Sequence, residues 1–324
     1  NPEKSIEWAL GHGRTVIVTD GEYGAEDRIE VPRPDVTLIV AEGATIRPAE
    51  DADMDAWPEL RGNQGDLFRQ LIYNKGHDGV RIINFGTLAA PPTWFGRHSD
   101  EGHAYNSSAA IWYDGRQGGG SGITGGLVFS PGKIVDADNH GHGVAIHDVE
   151  AVRVPFLHSV GMGHALLWMA GCRRCSVGTV VNIPTEGAGE GESLDMTAYN
   201  EDNVIDTVIG LGETSPRDEV LDINASPDNV IGQVIGWADI KDMVTITDGC
   251  GMRFSEREAS PNSNGTRIGS RVVLGKPRNI RKAVDAPGEP AELDRLDVTA
   301  RFIVTDSQGR TFSYGGTQHV NIGD

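Results

Sequence analysis

Two stretches of this chain are near-copies of each other: Glu192-Ser-Leu-Asp-Met-Thr-Ala-Tyr-Asn-Glu-Asp-Asn-Val-Ile-Asp-Thr-Val-Ile-Gly210 and Glu219-Val-Leu-Asp-Ile-Asn-Ala-Ser-Pro-Asp-Asn-Val-Ile-Gly-Gln-Val-Ile-Gly236. They start 27 residues apart (219 − 192). A repeat of that length marks a stacked architecture, in which one unit buries its apolar face only against the next. Each copy is made of short Val- and Ile-rich runs closed by Gly, Pro or Asp, so the unit reads as strands rather than helices.

The same grammar runs along the chain. Ser5–Leu10 has the apolar spacing of a short amphipathic helix, stopped by Gly-His-Gly13, and the runs Thr15–Val18, Arg28–Val31, Val36–Val40 and Ala44–Ile46 follow. Further coils are expected at Gly79–Gly86, at Ala109–Tyr113 with Gly126–Phe129, at Gly143–His147 with Val152–Leu157, and at Ala165–Trp168 with Val177–Val181. The near-copies come next, and then Met243–Ile246 with Arg267–Val273. Coil starts at His142, His164, Glu192, Glu219 and Asp242 are 22 to 28 residues apart (164 − 142 and 192 − 164 being the extremes). That is one turn of two or three strands. Asn203 and Asn229 fall at the same place before the second strand, where stacked amides can satisfy turn backbone groups.

This opening, a short helix before a first coil reading Thr15-Val-Ile-Val18 to Ala44-Thr-Ile46, resembles the right-handed parallel β-helix proteins of the pectate-lyase-like superfamily. The resemblance implies an all-β solenoid over residues 15–275 behind an N-terminal cap over 1–14. After Gly275 a Pro-rich stretch leads to Ala300–Val304 and Arg310–Tyr314, joined by Asp306-Ser-Gln-Gly309. This reads as a β-hairpin, so 276–324 is expected to cap the open solenoid end or to knit subunits into a homotrimer.

Composition narrows the partners. The net charge is −19, with six lysines (Lys4, Lys75, Lys133, Lys241, Lys276, Lys282) leaving 22 arginines of the 28 basic residues, against 47 acids. Such a lysine-poor acidic surface is that of a halophilic protein and repels nucleic acid and anionic membranes. A haloarchaeal or haloarchaeal-virus source, with no nucleic-acid partner, is the expectation. No apolar run approaches a membrane span, so no membrane insertion is expected; a start at Asn1 fits a processed or excerpted protein of the extracellular space or a virion surface. Three cysteines (Cys172, Cys175, Cys250) cannot form a complete disulfide framework, and Cys172-Arg-Arg-Cys175 has no second pair, so both read as buried fillers.

Strand alternation sorts inside from outside. Val144/Ile146, Leu166/Trp168, Leu194/Met196, Leu221/Ile223 and Val244/Ile246 form the expected inward set. Ala145/His147, Leu167/Met169, Asp195/Thr197, Asp222/Asn224 and Thr245/Thr247 then face out. Asp195 and Asp222 stand side by side at the strand spacing of about 4.8 Å. Three readings remain open for this pair: carboxylates of a glycosidase, one raised in pKa by the other; oxygen ligands for Ca²⁺ together with Glu192 and Glu219; or a solvated acidic ladder inherited by duplication. No other cofactor or metal is called for.

Gly141-His-Gly-Val-Ala-Ile146 resembles the Gly-His-Gly motif of polygalacturonase-type β-helix hydrolases, with His142 at the matching histidine. The Asn-Thr-Asp and Asp-Asp motifs that should precede it are missing, the upstream coil giving Ile111-Trp-Tyr-Asp114. His147, expected to face outward, is the acid/base candidate, with His164 nearby. Glu192, Glu219, Trp94, Tyr105, Trp112 and Arg253 are candidate substrate contacts, since aromatic faces pack on sugar rings. The expectation is a β-helix that binds a polysaccharide or cell-surface glycan and cleaves it by hydrolysis or β-elimination. The alternative is a non-enzymatic virion spike, tail fibre or surface protein.

Overall fold

The computed structural model describes residues 5–61, 67–92, 106–117, 122–136, 141–183, 191–197, 199–210, 219–237, 242–247, 266–274, 295–305 and 311–321. Successive strands alternate between two long sheets. Sheet I stacks Thr15–Val18, Thr37–Val40, Arg81–Asn84, Leu127–Asp136, Arg153–Val160, Ser176–Ile183, Val204–Gly210, Val230–Trp237 and Arg267–Leu274. Sheet II stacks Ile29–Val31, Leu67–Asn74, Asn106–Asp114, His142–His147, Leu167–Ala170, Leu194–Thr197, Glu219–Asn224 and Asp242–Thr247. Neighbours within both stacks are parallel, which makes the chain an all-β solenoid of the parallel β-helix kind. The first coils carry a third strip, Gly21–Ala25, Ala44–Pro48 and Thr87–Ala90, which joins sheet I at Lys133–Asp136.

A helix over Ile6–His12 precedes the first strand; the Ser5 hydroxyl accepts the Trp8 N–H at 3.0 Å, and Gly13 ends the helix through its N–H to Ala9 O. Gly11 and His12, expected to stop the helix, form its last turn instead. Strands Arg295–Thr305 and Thr311–Asn321 pair antiparallel with Thr305 opposite Thr311, the expected hairpin and longer than its apolar cores suggested.

Between the two sheets lies one apolar core. Sheet II contributes Val144, Ile146, Leu167, Met169, Leu194, Met196, Leu221 and Ile223, and sheet I contributes Val154, Leu157, Val177, Val180, Ile205, Val208, Ile231 and Val234. Strict alternation fails once per strand in the middle coils. In sheet II two successive residues turn inward, as in Ala110-Ile111, Leu166-Leu167 and Val220-Leu221. In sheet I the inward pairs Val154/Leu157, Val177/Val180, Ile205/Val208 and Ile231/Val234 stand three apart, leaving two outward positions between them. At that bend Gly178 and Gly232 are required: a Cβ would lie 2.1 Å from Pro155 O and 2.6 Å from Asp206 O respectively.

This break corrects the expected facing of one coil. Leu167, not Leu166, pairs with Val144 and Leu194, and Met169 pairs with Ile146 and Met196. Leu167 and Met169 are therefore core residues, and Trp168 points away from the core beside Ala145 and Asp195. A shift of one residue exchanges the two faces of a strand.

The turns from sheet II into sheet I repeat one backbone device. Asp148 and Ala151, Gly171 and Arg174, Tyr199 and Asp202, and Ala225 and Asp228 all have φ between 45° and 71°. Each is followed by a residue that enters a stack running along the solenoid: Val149 and Val152, then Cys172 and Cys175, then Asn200 and Asn203, then Ser226 and Asn229. The Cys-x-x-Cys spacing is thus the spacing of the turn, and both thiols are buried in the core as expected. Beyond the cysteines the stack becomes polar. Asn203 Oδ1 accepts the Cys175 N–H at 2.9 Å, Asn229 Oδ1 accepts the Asn203 N–H at 3.0 Å, and Thr266 Oγ1 accepts the Asn229 N–H at 3.2 Å. Asn203 Nδ2 also donates to Asn229 Oδ1 at 2.9 Å and to Cys172 O at 3.0 Å.

Non-glycine left-handed residues are unfavourable by about 1 kcal/mol each, so the turns hold only if their backbone groups are satisfied. Removing one amide strands several buried groups at about 1–3 kcal/mol apiece. Asn203→Ala and Asn229→Ala should each lower stability in urea by about 2–4 kcal/mol. Val204→Thr, at an exposed position one residue away, should stay within about 0.5 kcal/mol.

Candidate functional site

The outward face of sheet II carries three columns of side chains along the solenoid. Coil by coil they read Ala109-Trp112-Asp114, His142-Ala145-His147, Ala165-Trp168-Ala170, Glu192-Asp195-Thr197 and Asp222-Asn224, in the register set by strand pairing, and the backbone register continues through Asp242–Thr247. The face changes from aromatic and imidazole to acidic at one step. Trp168 and Asp195 are register partners across that step.

The aromatic half is closely packed. Trp168 lies 5.6 Å from Trp112 and 5.6 Å from Phe68, ring centre to ring centre. The His142 ring stacks on Trp168 at 4.6 Å with 18° between planes, while His147 meets Trp168 edge-on at 4.3 Å. Alanines at 145, 165 and 170 leave room for these rings, and Leu60 packs against the group. Although this face points away from the core, Trp112 and His147 are fully buried. Burial drives the His142 and His147 pKa values well below the usual imidazole value, helped for His142 by His164 and for His147 by the Arg116 charge.

These placements refine two expectations. His147 does stand on the outward face, but it is an enclosed neutral ring wedged between indoles. Trp112 is inside the cluster rather than on an open surface. Beside them Asp114 is buried and grips Arg116 in two hydrogen bonds of 2.7 and 3.0 Å, and accepts the Tyr73 hydroxyl at 3.3 Å. That network compensates a buried carboxylate and positions the start of the face.

In the acidic half, Asp195 and Asp222 pair directly in register, with Thr197 opposite Asn224. Thr197 donates its hydroxyl to Asp195, and the Asn224 amide donates to Asp222. Asp195 and Glu192 are nearly buried, 7% and 5% exposed, whereas Asp222, Asn224 and His164 are half-buried and give the face its opening to solvent. His164 lies one position before the place expected for it: its N–H bonds to Gly141 O, and Ala165 takes the level of His142. The two imidazole rings meet at 4.2 Å. Glu219 holds its strand position opposite Asp242. Trp94, Tyr105 and Arg253, together with Cys250, lie outside the described residues. Among the described residues no three His, Cys, Asp or Glu side chains gather closely enough to hold a metal ion.

Trp168 is the residue that sequence reasoning missed. The signal was present in the paired inward residues Ala110-Ile111 and Val220-Leu221, which match Leu166-Leu167 once the break in the pleat is allowed.

The class defined by these features is an all-β solenoid of stacked parallel strands with a mixed aromatic and acidic outer face. No family model, curated protein or solved structure matches the chain. No helix among the described residues is long and apolar enough to cross a membrane.

The buried histidines set a pH response. His158, enclosed on the sheet I strand Arg153–Val160, is lowered to about 4, chiefly by burial and then by the Lys133 charge. A group with a depressed histidine pKa contributes stability in its neutral form above the unfolded value near 6.5, and loses it as pH falls toward the folded value. The unfolding free energy should therefore drop between about pH 6.5 and 4, with a slope of about 1.4 kcal/mol per pH unit for His158 alone, and the melting temperature with it. Calorimetry of His158→Gln should show a shallower slope in that window.

Proposed function

We propose that this chain is an extracellular or virion-borne right-handed β-helix, of the pectate-lyase-like kind and of halophilic origin, that binds a polysaccharide along the outer face of sheet II and cleaves it. The observation that carries the reading is the register pairing of Asp195 with Asp222, one strand from Trp168. Neighbouring strands about 4.8 Å apart bring two carboxyl groups near the separation of about 5–5.5 Å used by retaining glycosidases. In that chemistry one carboxyl protonates the leaving glycosidic oxygen while the other attacks the anomeric carbon, and water then releases the sugar. Trp168, buried with the His142 ring stacked on it, backs the strand that carries Asp195.

A second reading is a non-enzymatic spike, tail fibre or surface protein that attaches to a host glycan. The antiparallel hairpin of Arg295–Thr305 and Thr311–Asn321 favours it, because such a module can join subunits into a homotrimer. The enclosed packing of His142 and His147 also fits a structural role for those rings.

Release of reducing ends from polysaccharides in high salt separates the readings. Under the first, Asp195→Asn and Asp222→Asn each cut turnover by about 100-fold or more while the melting temperature changes little. Glycan binding with no product, insensitive to either substitution, would leave the attachment reading standing.

A further inference from the structure

We propose that one face of the C-terminal hairpin is the surface through which copies of this chain associate. The inference does not depend on the glycan reading, because it concerns only the strands Arg295–Thr305 and Thr311–Asn321. Directly opposed residues of an antiparallel pair share a face, and the face changes at every step along each strand. The unbroken register therefore puts Leu296 with Val320, Phe302 with Tyr314 and Val304 with Phe312 on one face of the ribbon. The remaining positions of that face are Val298, Ala300, Gly316 and Gln318, so it is free of charged residues along about 30 Å. Arg295, Asp297, Arg301 and His319 all fall on the opposite face, together with Thr299 and Thr317.

A lone two-stranded hairpin is marginal in water and needs further strands or a packed apolar face to hold. Among the described residues each of these strands pairs only with the other, and no strand of either stack packs broadly against them. The two sheets of the same chain thus do not supply the cover.

Charge selects another copy as the occupant. The chain carries −19, from 47 acids against 28 basic residues, so two copies repel each other over most of their surface. The hairpin strands carry one acid, Asp297, against Arg295 and Arg301. Here copies can meet without that repulsion. An uncharged face has no group with which to select a charged partner, whereas a face apolar on both strands is complementary to itself. Copies standing side by side also bring the edge of Arg295–Thr305 in one chain beside that of Thr311–Asn321 in the next, running antiparallel. The same contact then satisfies the backbone groups along both edges.

The test uses the full chain in sedimentation equilibrium over a range of concentrations at low and high salt, with hydrogen exchange of the hairpin amides followed alongside. The expected mass is that of more than one chain, and association should tighten as salt rises, because screening removes the repulsion between the acidic bodies. Phe302→Lys should weaken association by about 30-fold or more, while Thr299→Lys, on the opposite face, leaves it unchanged. Dilution of the unaltered protein to single chains should strip protection from the hairpin amides and leave that of the two stacks intact. This last measurement needs no variant, so it stands even where Phe302→Lys unfolds the hairpin. A single-chain mass at every concentration, hairpin protection that survives dilution, or equal weakening by both lysine variants overturns the inference. The glycan reading is untouched by any of these results.

Discussion

Every coil of this protein depends on the next one for its backbone hydrogen bonds and for cover over its apolar residues. A strand of four to eight residues cannot stand alone in water, and a parallel stack at about 4.8 Å per step satisfies both of its edges and one of its faces. That constraint makes register the governing quantity. When Leu194 sits over Leu221 and under Leu167, the core closes, the outward columns align, and the turn stack follows. A slip of one residue in that coil would turn Asp195 into the apolar core and Met196 out of it.

The turns show how the same demand is met where strands end. Two left-handed residues per turn bend the chain sharply and leave peptide groups that no strand can satisfy. Early turns cover them with Val149 and Val152; later ones satisfy them with asparagine and serine. Cys172 and Cys175 occupy the junction, with apolar bulk toward the preceding coil and N–H groups donated to Asn200 and Asn203 of the following one. What looks like a redox motif in one coil is a stage in a column passing from apolar to polar.

The outer face of sheet II repeats this passage in functional terms. Aromatic and imidazole rings pack against one another over the middle coils, and carboxylates replace them over the next ones. Each half stabilises a different kind of contact, apolar ring against ring on one side and hydrogen bonding on the other.

Much of this was legible in the amino-acid sequence. The 27-residue near-copies determined a stacked β architecture, because equal runs at equal spacing can bury their apolar faces only against one another. They also determined the pairing of Asp195 with Asp222 and of Asn203 with Asn229, since duplicated residues take duplicated positions. The facing of Trp168 was decided by the tertiary structure alone. Its coil matches no neighbour closely, and the pleat breaks where two inward residues follow each other, so counting by twos carried Leu166 and Trp168 inward. The burial of His147 and Trp112 was likewise beyond the sequence, because alternation says which way a side chain points but not what is packed over it.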